Sequence, residues 1–282
     1  MHSDSVSPAH AHDGALETTL LLTALHASYG ADFRGFNPLV VASKLAALAS
    51  ERGLPHISAL QGELLRDREL GRQVIRLLGA GVHAGMPDPQ LLTALRLAMV
   101  PILRSSPWPA VWIADCTGPG LVVLIAAMLE EEGLLERTQL YVTSADETLV
   151  QDMASLRLSA PEAEQLDSLH SANGGRASLR AHLAADGDGF VLGAAAGAAL
   201  SCHVHDLASD ASFREFETVL CARPLREYGV ALLKRALGIF SDSLCGFGVL
   251  QIDPAGPMRT LAADFSMAPL LPGQGLYRRL PR

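Results

Sequence analysis

The sequence predicts an α/β protein, a nucleotide-type parallel sheet preceded by a small all-helical domain, and three observations carry that expectation. Val111-Trp112-Ile113-Ala114 is a short apolar run that leads through Asp115-Cys116-Thr117-Gly118-Pro119-Gly120 into an apolar segment at 121–129. Apolar run, glycine-containing turn and long helical stretch are the strand, loop and helix that open such a sheet. Leu140-Tyr141-Val142-Thr143 supplies a second parallel strand after the charged connection at 130–137. Four segments at 18–29, 37–52, 57–67 and 69–78 carry helical periodicity.

Taken in order, residues 1–16 are polar and poor in large apolar side chains, so a disordered tail is expected. His2, His10 and His12 lie in it, and the last two, at alternate positions, would hold a metal only adventitiously. The helical domain is expected over 17–88, with Asn37-Pro38 as a helix start. Residues 89–103 continue as a helix with Leu91, Leu92, Leu95 and Met99 on one face, a linking element over 89–106. Ser105-Ser106-Pro107 and Pro109 mark the boundary with an α/β domain at 107–282. There the further strand candidates are 200–204, 218–221 and 248–252, and 230–240 is a helix. The Gly- and Ala-rich block at 187–200 is compatible with a loose loop or with a pair of short elements.

A chain of 282 residues with 49% hydrophobic content can bury one large core or two smaller ones. A net charge of -8 gives no electrostatic case for nucleic acid or for an anionic membrane surface. Cys116, Cys202, Cys221 and Cys245 are widely spaced without a paired-ligand pattern, which favours reduced thiols and a cytoplasmic chain. No span reaches the ~20 apolar residues of a membrane helix, so no membrane insertion is expected. The N-terminus lacks the basic–apolar–small pattern of a secretory signal.

Several further segments are distinctive by their order: Tyr29-Gly30-Ala31-Asp32-Phe33-Arg34, Gly174-Gly175-Arg176-Ala177-Ser178-Leu179, His205-Asp206-Leu207, Ser212-Phe213-Arg214-Glu215-Phe216, Phe240-Ser241-Asp242-Ser243-Leu244-Cys245 and Gly275-Leu276-Tyr277-Arg278-Arg279. With them the chain resembles, from Leu20 to Arg279, the CheR family of chemotaxis receptor methyltransferases. The resemblance implies an S-adenosylmethionine-methyltransferase (Rossmann-like) sheet, methyl transfer from S-adenosylmethionine to receptor glutamates, and a receptor or signalling protein as partner.

The departures fall on the residues the family works with. Its Ala-Gly-Cys-Ser-Thr-Gly-Glu-Glu stands here as Ala114-Asp115-Cys116-Thr117-Gly118-Pro119-Gly120-Leu121. Its Val-Thr-x-x-Phe-Arg-Asp-Pro stands as Val82-His83-Ala84-Gly85-Met86-Pro87-Asp88-Pro89, which replaces the Arg by Pro87 and the Thr by His83. The ribose-binding acid aligns with Ser144, with Asp146 two positions on. Cys-Arg-Asn-Val-Leu-Ile-Tyr-Phe stands as Cys221-Ala222-Arg223-Pro224-Leu225-Arg226-Glu227-Tyr228, which puts Glu227 at the Tyr and Arg223 one place after the Arg. The Asp206-Leu207 pair, which flanks the adenine in the family, survives. The resemblance thus implies cofactor positions at Ala114, Asp115, Thr117, Ser144, Asp206 and Leu207, degenerate catalytic positions at His83, Pro87 and Glu227, and no metal.

A carboxylate at 115 beside the cofactor's own carboxylate would repel it by about 4 kcal/mol at ~4 Å and an effective dielectric near 20. Pro119 removes an N–H donor from the loop. Weak or no S-adenosylmethionine binding is expected, and with it a catalytically impaired, protein-binding or regulatory role in chemosensory signalling. The alternative is an active protein-glutamate O-methyltransferase with a remodelled cofactor loop. Three smaller expectations complete the reading. His83 is structural rather than a general base, and the His203/His205 pair has a structural or adenine-edge role rather than a metal-binding one. Glu130, Glu131 and Glu132 are a solvated helix end. The apolar face of residues 40–48, where the family is basic, is covered by the α/β domain, a second copy or a signalling partner.

Overall fold

Asn37 sets the start of the second helix as its sequence implies: its Oδ1 accepts the Leu39 amide at 3.1 Å, and Pro38 takes the first turn. This computed structural model describes residues 8–79, 89–254, 262–271 and 273–281, and the chain divides into two units. One comprises residues 1–81 with 226–233; the other comprises 82–225 with 234–282.

The helical unit contains α1 (Pro8–Tyr29), α2 (Pro38–Glu51), α3 (Ile57–Leu64) and α4 (Arg68–Gly79). Helix α1 begins inside the segment expected as a tail, because Ala-rich sequence between Pro8 and Leu16 extends the helix N-terminally. Leu21, Leu25, Leu45, Leu60, Leu64 and Val74 form a closed core. The Tyr29 hydroxyl donates to the Leu64 carbonyl at 2.8 Å, and its ring lies so near Gly71 that a Cβ there would stand 2.1 Å from Cζ. Only glycine fits. Val41, Leu45 and Leu48 are buried in this core, so the apolar face expected to need an outside cover is covered by its own unit.

The second unit opens with α5 (Pro89–Ser105) and β1 (Ala110–Ala114), followed by α6 (Pro119–Glu131), β2 (Gln139–Ser144) and α7 (Glu147–Ser155). Then come β3 (Leu158–Ser159), α8 (Ala160–Ala172), β4 (Leu183–Asp186), β5 (Gly189–Leu192), α9 (Ala194–Ala199), β6 (Leu200–Val204) and β7 (Phe216–Cys221). Helix α10 (Val230–Ser243), which starts in the helical unit, leads to β8 (Leu244–Gln251), β9 (Met267–Leu271) and β10 (Leu276–Arg279).

Seven strands form one sheet in the order β6-β2-β1-β7-β8-β10-β9. Pairing is parallel from β6 to β8, and β10 runs antiparallel to both its neighbours. Every residue of β1 is buried, as a central parallel strand requires. On one side of it the side chains of α6 from Val122 to Leu129 are buried together with Leu95, Met99 and Leu103 of α5. On the other, Trp112 stacks on Phe216 and meets His205, Phe213 and Phe240 edge-on, while its Nε1–H donates to Thr143 Oγ1 at 2.9 Å.

The block at 187–200 resolves into β5 and α9. Strands β3, β5 and β4 make a second, antiparallel sheet in that order, with Gly187 at a φ of +60° in the turn joining β4 to β5. The acidic end of α6 corrects the expectation of a solvated face. The side chains of Glu131 and Glu132 are 3% and 5% exposed and pair with Arg96, Arg104 and Arg176.

Candidate cofactor site

Four loops leave the carboxyl ends of β1, β2, β6 and β7, and strand order reverses between β1 and β7. In open parallel sheets ligands bind at that reversal. Asp115 leaves β1 there with a φ of +47°, a left-handed conformation that Asp tolerates better than most side chains. Arg223 leaves β7 opposite it, and its Nε donates to Asp115 Oδ2 at 2.8 Å. Both side chains are nearly buried, 11% and 3% exposed. The backbone ties the two loops together, since the Ala222 amide donates to the Ala114 carbonyl at 3.0 Å.

The Cys116 amide donates to the Thr143 carbonyl at 2.7 Å, and the Cys116 thiol donates to the Gly118 carbonyl at 3.2 Å. Burial, with a smaller contribution from the Asp115 charge, pushes that thiol up to about 12, so Cys116 is an inert apolar filler. Gly118 caps α6 without any side-chain bond, and Pro119 occupies the first turn, which leaves this helix end short of one N–H donor.

Ser144 ends β2, buried; its hydroxyl accepts the Asp146 amide at 3.2 Å, and its carbonyl accepts the His205 amide at 3.0 Å. Asp146, two positions on, caps α7: its Oδ1 accepts the Thr148 and Leu149 amides at 2.8 and 3.4 Å. Asp206 folds its own loop: Oδ1 accepts the Ala208 amide at 2.8 Å, and its amide donates to Asp210 at 2.9 Å. Leu207 is buried and its carbonyl accepts Arg235 Nε at 2.9 Å.

Ala114, Asp115, Thr117, Ser144, Asp206 and Leu207 therefore all stand on or just beyond the carboxyl ends of adjacent strands. His83 and Pro87 lie outside the described residues, as does Asp88. Glu227 belongs to the helical unit, where its carboxylate is buried 3.8 Å from Lys44 Nζ. His203 bonds Ser201 at 2.7 Å and stacks on Tyr141, and His205 bonds the Ala211 carbonyl at 3.0 Å beneath Trp112. Both histidines thus have structural partners. Sequence reasoning missed the pairing of Arg223 with Asp115. Its signal was present in two coincident changes, an acid at the first loop glycine and an arginine displaced by one position after β7.

The strand order with its antiparallel β10, the preceding helices and the loop set at the reversal define a Rossmann-like methyltransferase-type fold. The chain is 28% identical over 264 residues, 94% of its length and 97% of the relative's, to a Pseudomonas putida KT2440 protein described as "Putative methyltransferase Cher3". That similarity supports a CheR-like methyltransferase relationship. No family model matches the chain. A solved structure described as a possible exported protein from Bordetella parapertussis aligns over 98% of this chain and 100% of its own. At 10% identity and a TM-score of 0.34 it bears on neither fold nor function.

Proposed function

We propose that this chain is a catalytically impaired CheR-like methyltransferase homologue that serves as a protein-binding or regulatory component of a chemosensory or related signalling pathway. The carrying observation is the Asp115–Arg223 ion pair at the strand reversal. It engages internally a guanidinium charge that an amino-acid carboxylate of a cofactor would otherwise meet at the strand reversal. Pro119 and Ser144 act in the same direction, since each lost charge-assisted hydrogen bond weakens binding by about 1.5–3 kcal/mol. Calorimetric titration with S-adenosylhomocysteine and S-adenosylmethionine tests this. No binding tighter than about 100 µM is expected, an affinity near −5.5 kcal/mol, and no transfer of labelled methyl to receptor fragments. A low-micromolar dissociation constant overturns the proposal.

One observation favours a second reading, an active protein-glutamate O-methyltransferase with a remodelled loop. Arg223 neutralises Asp115, so the repulsion a lone carboxylate would exert on the cofactor is largely cancelled. In that reading the guanidinium would transfer from Asp115 to the cofactor carboxylate. Low-micromolar binding that Arg223→Ala abolishes, together with labelled methyl transferred to receptor fragments, would establish it.

A further inference from the structure

At the opposite end of α6 from Asp115, a second cluster stands apart from the cofactor loops; a helix of 13 residues separates them by about 20 Å at ~1.5 Å per residue. Glu131 from α6, His170 from α8 and His182 from the 3₁₀ turn before β4 bring one potential ligand atom each close together. The three atoms lie within 4.8 Å of one another, the only such His/Cys/Asp/Glu group among the described residues. His170 Nε2 is 3.0 Å from Glu131 Oε1, and His182 Nε2 is 3.8 Å from the same oxygen.

The tautomer of His182 decides what the cluster wants. Its Nδ1 is 2.7 Å from Glu130 Oε2, and a carboxylate accepts, so Nδ1 carries the hydrogen. In the neutral ring Nε2 is then a lone pair. That atom is buried and has no hydrogen-bond partner. A buried lone pair 3.8 Å from a carboxylate oxygen is unfavourable, and a positive charge between the two, a proton or a metal ion, relieves it. An outer carboxylate that holds the far nitrogen of a histidine is also the arrangement that orients metal-bound imidazoles.

The surroundings hold these donors in place. Arg96 Nη2 binds the other Glu131 oxygen at 2.7 Å, and the Arg176 and Ala177 amides reach Oε1 at 2.6 and 3.2 Å. Arg104, Arg176 and the second Arg96 nitrogen are engaged by Glu132. A Cβ at Gly175 would fall 2.4 Å from the His170 ring, so glycine there makes room for it.

We infer that Glu131, His170 and His182 form a binding site for a divalent transition-metal ion, Zn2+ being the best match to two imidazoles and one carboxylate. On binding, the proton on His170 Nε2 moves to Nδ1 of the same ring, which leaves the imidazole neutral and Nε2 free to ligate. Glu130 keeps the Nδ1 proton of His182. The ion would clamp α6, α8 and the turn that enters the three-stranded sheet, a structural role independent of any cofactor.

The test uses the full chain with His2, His10 and His12 changed to Gln, so that the N-terminal histidines contribute nothing. Metal-free protein is titrated with Co2+, followed by its visible bands, and with Zn2+ in competition with a chromophoric chelator. One ion per chain with a low-coordinate cobalt spectrum is expected, and His182→Ala should abolish it. Glu130→Gln, a change at a half-exposed side chain, should keep the fold and weaken Zn2+ about 10–100-fold. Absence of stoichiometric binding, or binding that neither variant alters, overturns the inference. S-adenosylhomocysteine is absent throughout, so the outcome is separate from that of the cofactor titration.

Discussion

Asp115 and Arg223, 108 positions apart in sequence, form an ion pair of 2.8 Å across the point where the strand order reverses. The carboxylate sits where the CheR-like pattern has glycine, on a backbone that favours glycine, and an arginine from the neighbouring strand end meets it. The pair makes this loop an internally stabilised structure.

The first prediction concerns that pair. Breaking a nearly buried ion pair from one side leaves the other charge desolvated, at a cost of about 3–5 kcal/mol. Arg223→Ala should therefore lower unfolding stability by an amount near the bottom of that range, read from denaturant midpoints. Asp115→Asn, which tolerates the positive φ, should cost less than Asp115→Ala, which does not. Equal effects of the two Asp115 variants would show that backbone strain plays no part.

Restoring the loop should restore affinity. The triple change Asp115→Gly, Pro119→Gly and Ser144→Glu removes a charge, returns a donor and supplies a ribose-facing carboxylate. Each charged hydrogen bond regained is worth about 1.5–3 kcal/mol, or roughly 10–100-fold in affinity. S-adenosylhomocysteine binding should rise at least tenfold over the parent in calorimetry. Unchanged binding would place the obstacle elsewhere.

Glutamate at Val41 and Leu45 should unfold the helical unit. Both side chains are buried against α1, α3 and α4, and a carboxylate there has no partner. Loss of helical circular dichroism at moderate temperature is the expected reading. A double variant that melts like the parent would return this face to the surface.

Alkaline pH should weaken the fold through Cys116. Burial holds its folded thiol up at about 12, against about 9 for an ordinary thiol. Between those values the unfolded chain has released a proton that the native chain still holds. Its stabilising contribution is complete below pH ~9 and falls progressively as pH rises towards ~12. Urea midpoints measured from pH 8 to 10.5 should fall less steeply in Cys116→Ala than in the parent. In the native protein at pH 8, Cys116 should be silent to a disulfide thiol reagent and react only after denaturation.

Much of the fold was legible in the sequence because its elements are local. The runs at 111–114, 140–143, 200–204 and 218–221 became β1, β2, β6 and β7, and Asn37-Pro38 became the cap of α2. Period and capping act over a few residues, so a linear reading captures them. The short strands β3, β4 and β5 escaped it, since strands of two to four residues leave no period to read. Loop positions 114, 115, 117, 144, 206 and 207 came from resemblance, and the strand order then set them along one sheet edge.

By itself the sequence determined the long helices and the central parallel strands, and that the loop after β1 carries an acid in place of a glycine. Tertiary structure alone decided what that acid meets, because the partner comes from a strand that is adjacent only once the sheet is ordered. It likewise turned Glu131 and Glu132 from an apparent solvated helix end into a buried hub for arginines and histidines up to 51 positions away, Glu131 to His182. Charge pairing and burial depend on neighbours in space, and no local period encodes them.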